Sequence, residues 1–263
     1  MSNFLLYLLQ QGRATQTKLF PQLDSFVNGL PSIDSSKACQ AMECNACADL
    51  CPTKAISVIE EENTEKNATV QIRLGSCIGC SLCIDNCPTG TITRNLATAT
   101  AVTNIDQLTI SNREKVITAP MVITASKEKK SPFRRSLAVR VVSTGCTACD
   151  LEINAAGNSI FDLERFGISI VASPRMADAL VVTGPVGISM QRALIRTYEA
   201  MPEPKIVIAA GSCAISGGVH TDTYARPNGL NAILPVDVFV PGCPPHPWSI
   251  IHALMLAMGR VEA

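Results

Sequence analysis

Two architectures in series are predicted for this 263-residue chain, an α+β domain followed by an α/β domain built on a parallel sheet. Three observations predict them. Eight of the twelve cysteines crowd into residues 39–88, in two similar loop-and-strand segments. A polar stretch then interrupts the sequence. From Leu137 onward short aliphatic runs alternate with helical patterns, and the last four cysteines fall just beyond the ends of those runs. The division expected is an N-terminal arm over 1–30, a cysteine-rich domain over 31–97, a linker over 98–135 and a sheet domain over 136–263.

Formal net charge is zero, from 22 basic and 22 acidic residues, so nothing points to nucleic acid. Twelve cysteines in a secreted chain would suggest disulfides. The N-terminus, however, carries no charge ahead of FLLYLL, and its apolar run stops at Gln10, so no secretory signal is expected. No run approaches the roughly 20 apolar residues that span a bilayer. The expectation is a soluble chain with reduced, metal-bound thiols that can still dock on a membrane complex.

Residues 1–30 begin with a short amphipathic helical pattern and continue through polar turns past Pro21, which reads as a tether or partner-facing arm. The run Cys77–Pro88, CIGCSLCIDNCP, then spaces four cysteines by two, two and three residues and closes with a proline. That is the ferredoxin spacing for 4Fe–4S clusters. Short gaps wrap one tight loop around a cube, while the cysteine beside the proline turns toward a second cluster. Zinc is the competing reading, but its ligands come in separated pairs, whereas three follow here in quick succession. Cys39, Cys44, Cys47 and Cys51-Pro52 repeat the pattern, and Ala55–Ile59 matches Gly90–Thr93. One departure stands out: four residues separate Cys39 from Cys44, so that loop must bulge. With the usual crossing, Cys39, Cys44, Cys47 and Cys87 hold one cluster, and Cys77, Cys80, Cys83 and Cys51 hold the other. A ferredoxin-like α+β fold is expected.

Between about 95 and 135 the composition turns polar and ends in KEKKSPFRR. This reads as a linker with one or two edge strands, its charge run a solvated face. Docking of a partner on Arg134 and Arg135 has no further support in the sequence.

In the last domain LAVRVVS (137–143) predicts a strand and DLEINAAGNSIFDLERFG (150–167) a helix ending at Gly167. Strands are predicted at 168–173, 179–184, 205–211 and 236–242, with helices at 187–201 and 248–258. Aliphatic strands alternating with helices indicate a flavodoxin-like parallel sheet covered on both faces. Cys146 and Cys149 sit in the turn after the first strand, Cys213 just after 205–211, and Cys243 just after 236–242. All four thus lie beyond carboxyl ends of parallel strands, where open α/β sheets gather their sites. Four thiolates on one rim can close around a third cube, with Gly145, Gly211 and Gly242 permitting close backbone approach. A structural zinc site and four unrelated buried thiols are the alternatives, and the shared strand-end position argues against the second. Three groups of four use every cysteine.

Other candidates carry less. TGPVG (183–187) and SGGVH (216–220) match neither GxGxxG nor a P-loop, so no nucleotide or flavin is expected. His220 reads as a loop histidine, with a proton-relay or partner role as the alternative, and His246 and His252 read as structural. Asp150 and Glu152 are helix N-terminal acids or partner-facing groups, and Arg175 is a candidate to pair with an acid or a carbonyl near the cluster. No nucleophile–base pair and no paired carboxylates are evident. Electron transfer without bond chemistry is the expectation, and no catalytic residue is assigned.

GCTACDLE, FDLERFG, SPRMADALVVTG, AAGSCAISGGVH and VPGCPPHPWSIIHA, in that order, resemble the small subunit of energy-converting nickel–iron hydrogenases and the related complex I 20 kDa subunit. The cysteine-rich half resembles the ferredoxin subunit of formate hydrogenlyase, so the chain looks like a fusion of the two. In this resemblance complex I chains have two adjacent cysteines at the first ligand pair and hydrogenases Cys-x-x-Cys, and Cys146-Thr-Ala-Cys149 follows the hydrogenase form. The resemblance implies three 4Fe–4S clusters, the third on Cys146, Cys149, Cys213 and Cys243. It also implies nickel–iron chemistry in a separate large subunit, membrane-embedded partners, an electron donor or acceptor protein, and a place on the cytoplasmic face of the inner membrane. The hydrogen couple falls about 59 mV per pH unit, to about −410 mV at pH 7. Ferredoxin-type clusters near about −400 mV match it. A complex I-like quinone oxidoreductase subunit is the alternative, and a stand-alone carrier the third possibility.

Overall fold

The structure, a computed structural model, describes residues 7, 12, 15–37, 39, 45–59, 69–112, 131–225 and 229–261. The expected N-terminal helix falls almost wholly outside them, as does Cys44.

The first unit is small and antiparallel. β1 (Leu30–Ile33) and α1 (Ala46–Asp49) precede β2 (Ile56–Ile59) and β3 (Thr69–Arg73); α2 (Leu82–Asp85), β4 (Ile92–Asn95) and β5 (Thr109–Ser111) follow. β1 pairs β4 with Ile33 opposite Ile92, and β2, β3 and β5 form a second sheet in that order. The duplication read from the cysteines is physical. One offset carries α1 onto α2, Cys51-Pro52-Thr53 onto Cys87-Pro88-Thr89, and β2 onto β4. Each copy turns into its strand through a left-handed residue, Lys54 (φ 50°) in one and Gly90 (φ 63°) in the other. Ile33, Ile56, Val70, Ile72 and Ile92 make the core, with Cys47 and Cys83 buried among them.

The second unit is a doubly wound α/β sheet. Its strands are β6 (Leu137–Ser143), β7 (Ile168–Ile170), β8 (Ala179–Thr183), β9 (Ile206–Ala210) and β10 (Val238–Val240). All pair in parallel, in the order β7-β6-β8-β9-β10, which counted within the unit is the flavodoxin-like order 2-1-3-4-5. Period-two alternation splits its side chains between two cores. Leu137, Val139, Val181 and Ile208 face α3 (Ala148–Ala156), which supplies Ile153 and Ala156. Leu180, Val182, Val207 and Ala209 face α4 (Ile188–Glu199) and α5 (Ser212–Ser216), through Leu194, Ala214 and Ile215. The last helix, α6 (Pro247–Ala257), is apolar almost all round and accordingly buried from Pro247 to Met255. Fully burying one such aliphatic side chain contributes about 1.5–3 kcal/mol.

One helix differs from expectation. The pattern over 150–167 predicts a single helix, whereas α3 stops at Ala156 and a 3-10 turn occupies Leu163–Phe166. Asn158 causes the break: its Oδ1 accepts from the amides of Ile160 (2.9 Å) and Phe161 (3.2 Å), a local alternative to helix hydrogen bonds. Asp162 then sits at φ 51° and Gly167 at φ 76°.

The stretches on either side of the first unit pack on the second. Thr15 and Gln16 bond to the carbonyls of Ser159 and Ile160, Trp248 donates its indole N–H to Gln16 Oε1 (2.7 Å), and Phe20 meets Trp248 and His252 edge-on. Residues 98–102, within the span expected as a linker, lie on α6 and β10. Ser249 donates to Thr98 O (2.7 Å), Ala101 N–H donates to His252 Nδ1 (3.2 Å), and Val102 bridges Phe239. Phe133, next to the basic run, is buried in the same core as Trp248.

Candidate metal centres

Parallel pairing places the carboxyl ends of β6, β8, β9 and β10 along one edge, and each of the last four cysteines follows one of these strands. The β6 exit is pinned by Thr144, whose amide and hydroxyl both donate to Thr183 O (3.0 and 2.7 Å). Cys146 then lies exposed in the turn, while Cys149 is buried in the first turn of α3. Cys213 lies in α5, and Cys243 between Gly242 and Pro244. Two of the four cysteines therefore ride short helices and not the loops expected from sequence. The Cys149 thiol is pushed up to about 12, first by burial and then by Cys243, Cys146 and Cys213, so its sulfur lies within electrostatic reach of the other three. Burial and then Cys146 raise Cys243 as well. Gly211 shows why a side chain is excluded here: at φ 91°, a Cβ would lie 2.6 Å from Cys149 Sγ.

In the first unit Cys51, Cys77, Cys80 and Cys83 line a single cavity against Ile56 and Ile72. The Cys83 thiol is pushed up to about 12 by burial, then by Cys77, Cys80, Cys51 and Cys47. Burial takes Cys77 up to about 11 against a lowering hydrogen bond from the Gly79 amide, 3.4 Å from its Sγ. Ala55 N–H donates to Cys51 Sγ at 3.2 Å. Of the other predicted set, Cys39, Cys47 and Cys87 belong to one apolar cluster, and Cys44 lies outside the described residues. Burial raises Cys87, but the amide of Ile92, the hydroxyl of Thr89 and the amides of Thr91 and Thr89 outweigh it, and its thiol is lowered overall. Thr53 and Thr89, which sequence reasoning passed over, stand 3.7 and 3.6 Å from the sulfurs of Cys51 and Cys87. The repeated Cys-Pro-Thr is the signal that identifies them.

These surroundings fit iron–sulfur clusters. None of the described cysteines is in a disulfide, and several receive backbone N–H donors, the pattern that stabilises bound thiolate. Crowded buried thiols that raise one another's pKa ionise readily only with a polycation among them.

The two units meet at these sites. Ser212 on α5 donates to the carbonyl of Cys77, and Ser216 to that of Gly75 (3.0 Å). Ile78 and Gly79 share a pocket wall with Glu152, Cys243 and Pro244. No sequence signal marks Ser212 or Ser216.

The remaining candidates separate by position. Asp150 accepts from Thr183 Oγ1 (2.5 Å), tying α3 to β8. Burial raises Glu152 beside Cys243. His220 lines a pocket with Cys146, Ile188 and Tyr224. His246 caps α6 by accepting from Trp248 N–H (3.2 Å), and burial lowers its pKa. Arg175 is exposed in the turn leading into the amino end of β8, away from the carboxyl-end cysteines. Arg134 and Arg135 line an open cavity with Arg165 and Arg260.

The family described as the NADH ubiquinone oxidoreductase 20 kDa subunit matches residues 146–257, and the 4Fe-4S dicluster domain matches residues 38–91. An NADH-quinone oxidoreductase subunit of Geotalea daltonii is 41% identical over 140 residues, 53% of this chain and 82% of that protein. The chain belongs to the complex I 20 kDa subunit family. Formate hydrogenlyase subunit 7 of Escherichia coli is 43% identical, over 49% of this chain and 51% of its own length. A membrane-bound hydrogenase subunit of Pyrococcus furiosus is 47% identical, over 46% of this chain and 72% of its own. The chain thus spans about half the length of some curated relatives and most of others. The 20 kDa family match takes in all four strand-end cysteines, and the dicluster match takes in the other eight. Among the described residues no helix is long and apolar enough to cross a membrane.

Proposed function

We propose that this chain is the electron-transfer subunit of a membrane-associated nickel–iron hydrogenase of the formate hydrogenlyase kind. It relays electrons to or from an active site in a separate large subunit, with three 4Fe–4S clusters as carriers. Cys39, Cys44, Cys47 and Cys87 would hold the first, Cys51, Cys77, Cys80 and Cys83 the second, and Cys146, Cys149, Cys213 and Cys243 the third. When bound, such clusters supply one-electron carriers whose potential is set by burial and hydrogen bonds to sulfur. The chain's own part is to hold the thiolates apart at fixed spacing, aim amides at them, and exclude water with Ile56, Ile72 and the α3 and α5 helices. What supports the proposal is the placement of four thiols after three strand ends on one edge of the sheet, beside a docked cysteine-rich unit.

The hydrogenase form of Cys146-Thr-Ala-Cys149 and the likeness to formate hydrogenlyase subunit 7 favour hydrogen as the terminal couple. Leu151, Ile188, Val219 and Tyr224 are exposed on elements that follow the carboxyl ends of the strands, an apolar surface suited to a large subunit. Membrane-embedded subunits would hold the chain at the cytoplasmic face of the inner membrane, where a donor or acceptor protein reaches the first unit. The 82% coverage of an NADH-quinone oxidoreductase subunit favours the second reading, a quinone-linked complex of the complex I kind. Purification of the native assembly separates the two. Nickel in a co-purifying large subunit is expected, and a nickel-free large subunit with quinone reductase activity would overturn the hydrogenase assignment.

A further inference from the structure

The two units touch through a ligand loop and a ligand helix. The turn Leu74–Ser76, which leads into Cys77, lies on α5, the helix that carries Cys213. Gly75 is packed so closely that a Cβ there would fall 2.8 Å from Ile215 Cγ2. Ser212, 1% exposed, makes the central connection. Its hydroxyl donates to Cys77 O, with Gly242 O also in reach at 3.2 Å, and its amide donates to Gly242 O at 2.9 Å. Ser216, the last residue of α5, sends its hydroxyl to Gly75 O, with Ser212 O at 3.2 Å. Ser212 immediately precedes Cys213, and Gly242 immediately precedes Cys243. One side chain therefore ties a cysteine of the first unit to the backbone beside two cysteines of the second.

We infer that Ser212, supported by Ser216, is a positioning residue for electron exchange between the Cys51/Cys77/Cys80/Cys83 site and the strand-end site. The inference rests on the three-cluster reading above. Cys77 and Cys213 are joined through one hydrogen bond and one peptide bond. Electron exchange falls steeply with the number and length of through-space jumps, so a short bonded route is the efficient one. The same clamp fixes how far apart the two ligand sets stand. It makes the transfer between the units a property of this chain alone, independent of how a partner docks.

The test is pulsed electron paramagnetic resonance on the native assembly, reading the magnetic interaction between the two reduced sites, with iron per chain measured on each sample. Ser212→Ala is expected to keep its full iron content and both individual signals while the interaction weakens as the loosened sites move apart, and Ser212→Thr, which restores a hydroxyl, to return it toward the wild-type value. Should Ser212→Ala lose iron, Ser216→Ala decides, with a weakened interaction at full iron content expected. An interaction unchanged from wild type in an iron-replete Ser212→Ala protein, or in Ser216→Ala where that decides, overturns the clamp. Wild-type protein with iron in the first unit alone would instead overturn the three-cluster reading, which keeps the two failures distinct.

Discussion

Cys146 is exposed whereas Cys149 is buried, yet both lie within electrostatic reach of Cys243. Cys146→Ser is expected to abolish the strand-end signal while both clusters of the first unit stay reducible, as read by low-temperature spectroscopy; loss of all three signals would contradict the division into two units. His252 makes a pH-dependent prediction. Burial holds its pKa down to about 4, and it stays neutral while accepting from Ala101 N–H. Below its ordinary value of 6.5 the unfolded chain takes up a proton that the folded chain refuses. Stability should therefore be full above pH 6.5, fall as the pH drops, and by about pH 4 have lost about 3 kcal/mol from this group. Thermal melts of His252→Gln should show a shallower acid decline than wild type over that window. At this scale the approach of Cys77, Cys80 and Cys83 to one cavity is legible because their spacing is local. Ser212 is not, because its hydroxyl matters only through a carbonyl 135 positions away.

Strands and helices were legible where burial imposes a pattern. Each central strand of the parallel sheet is covered on both faces and reads as an unbroken aliphatic run, so β6, β8 and β9 stand where the sequence put them. β3 has no clear signature in the sequence because Thr69 and Gln71 interrupt its Val70 and Ile72, and the ladder with β2 supplies what local pattern does not. The sequence pattern over 150–167 runs longer than the helix because a helical apolar period continues past Gly157, while Asn158 offers the backbone a better local partner. Asn158→Ala removes the acceptor of two amides and should lower stability by about 1 kcal/mol. A reduced Tm with unchanged iron content would bear this out, since the break lies beyond the ligand-bearing first turn of α3.

At the scale of the molecule, a sequence cut into arm, domain, linker and domain conceals how the pieces are knit. Phe20 and Gln16 from the arm and Thr98 and Ala101 from the polar stretch all end on α6. Composition hides this because the contacts are few and spaced along polar segments. A fragment beginning at Ser131 should therefore melt several degrees below the whole chain, and calorimetry showing equal Tm for the two would contradict the role given to these straps. The central claim concerns metal. Iron and acid-labile sulfide, assayed per chain on anaerobically purified protein, test it most directly. About twelve of each are predicted, four for every set of four cysteines. About eight, or zinc in place of iron at the strand-end cysteines, would contradict it.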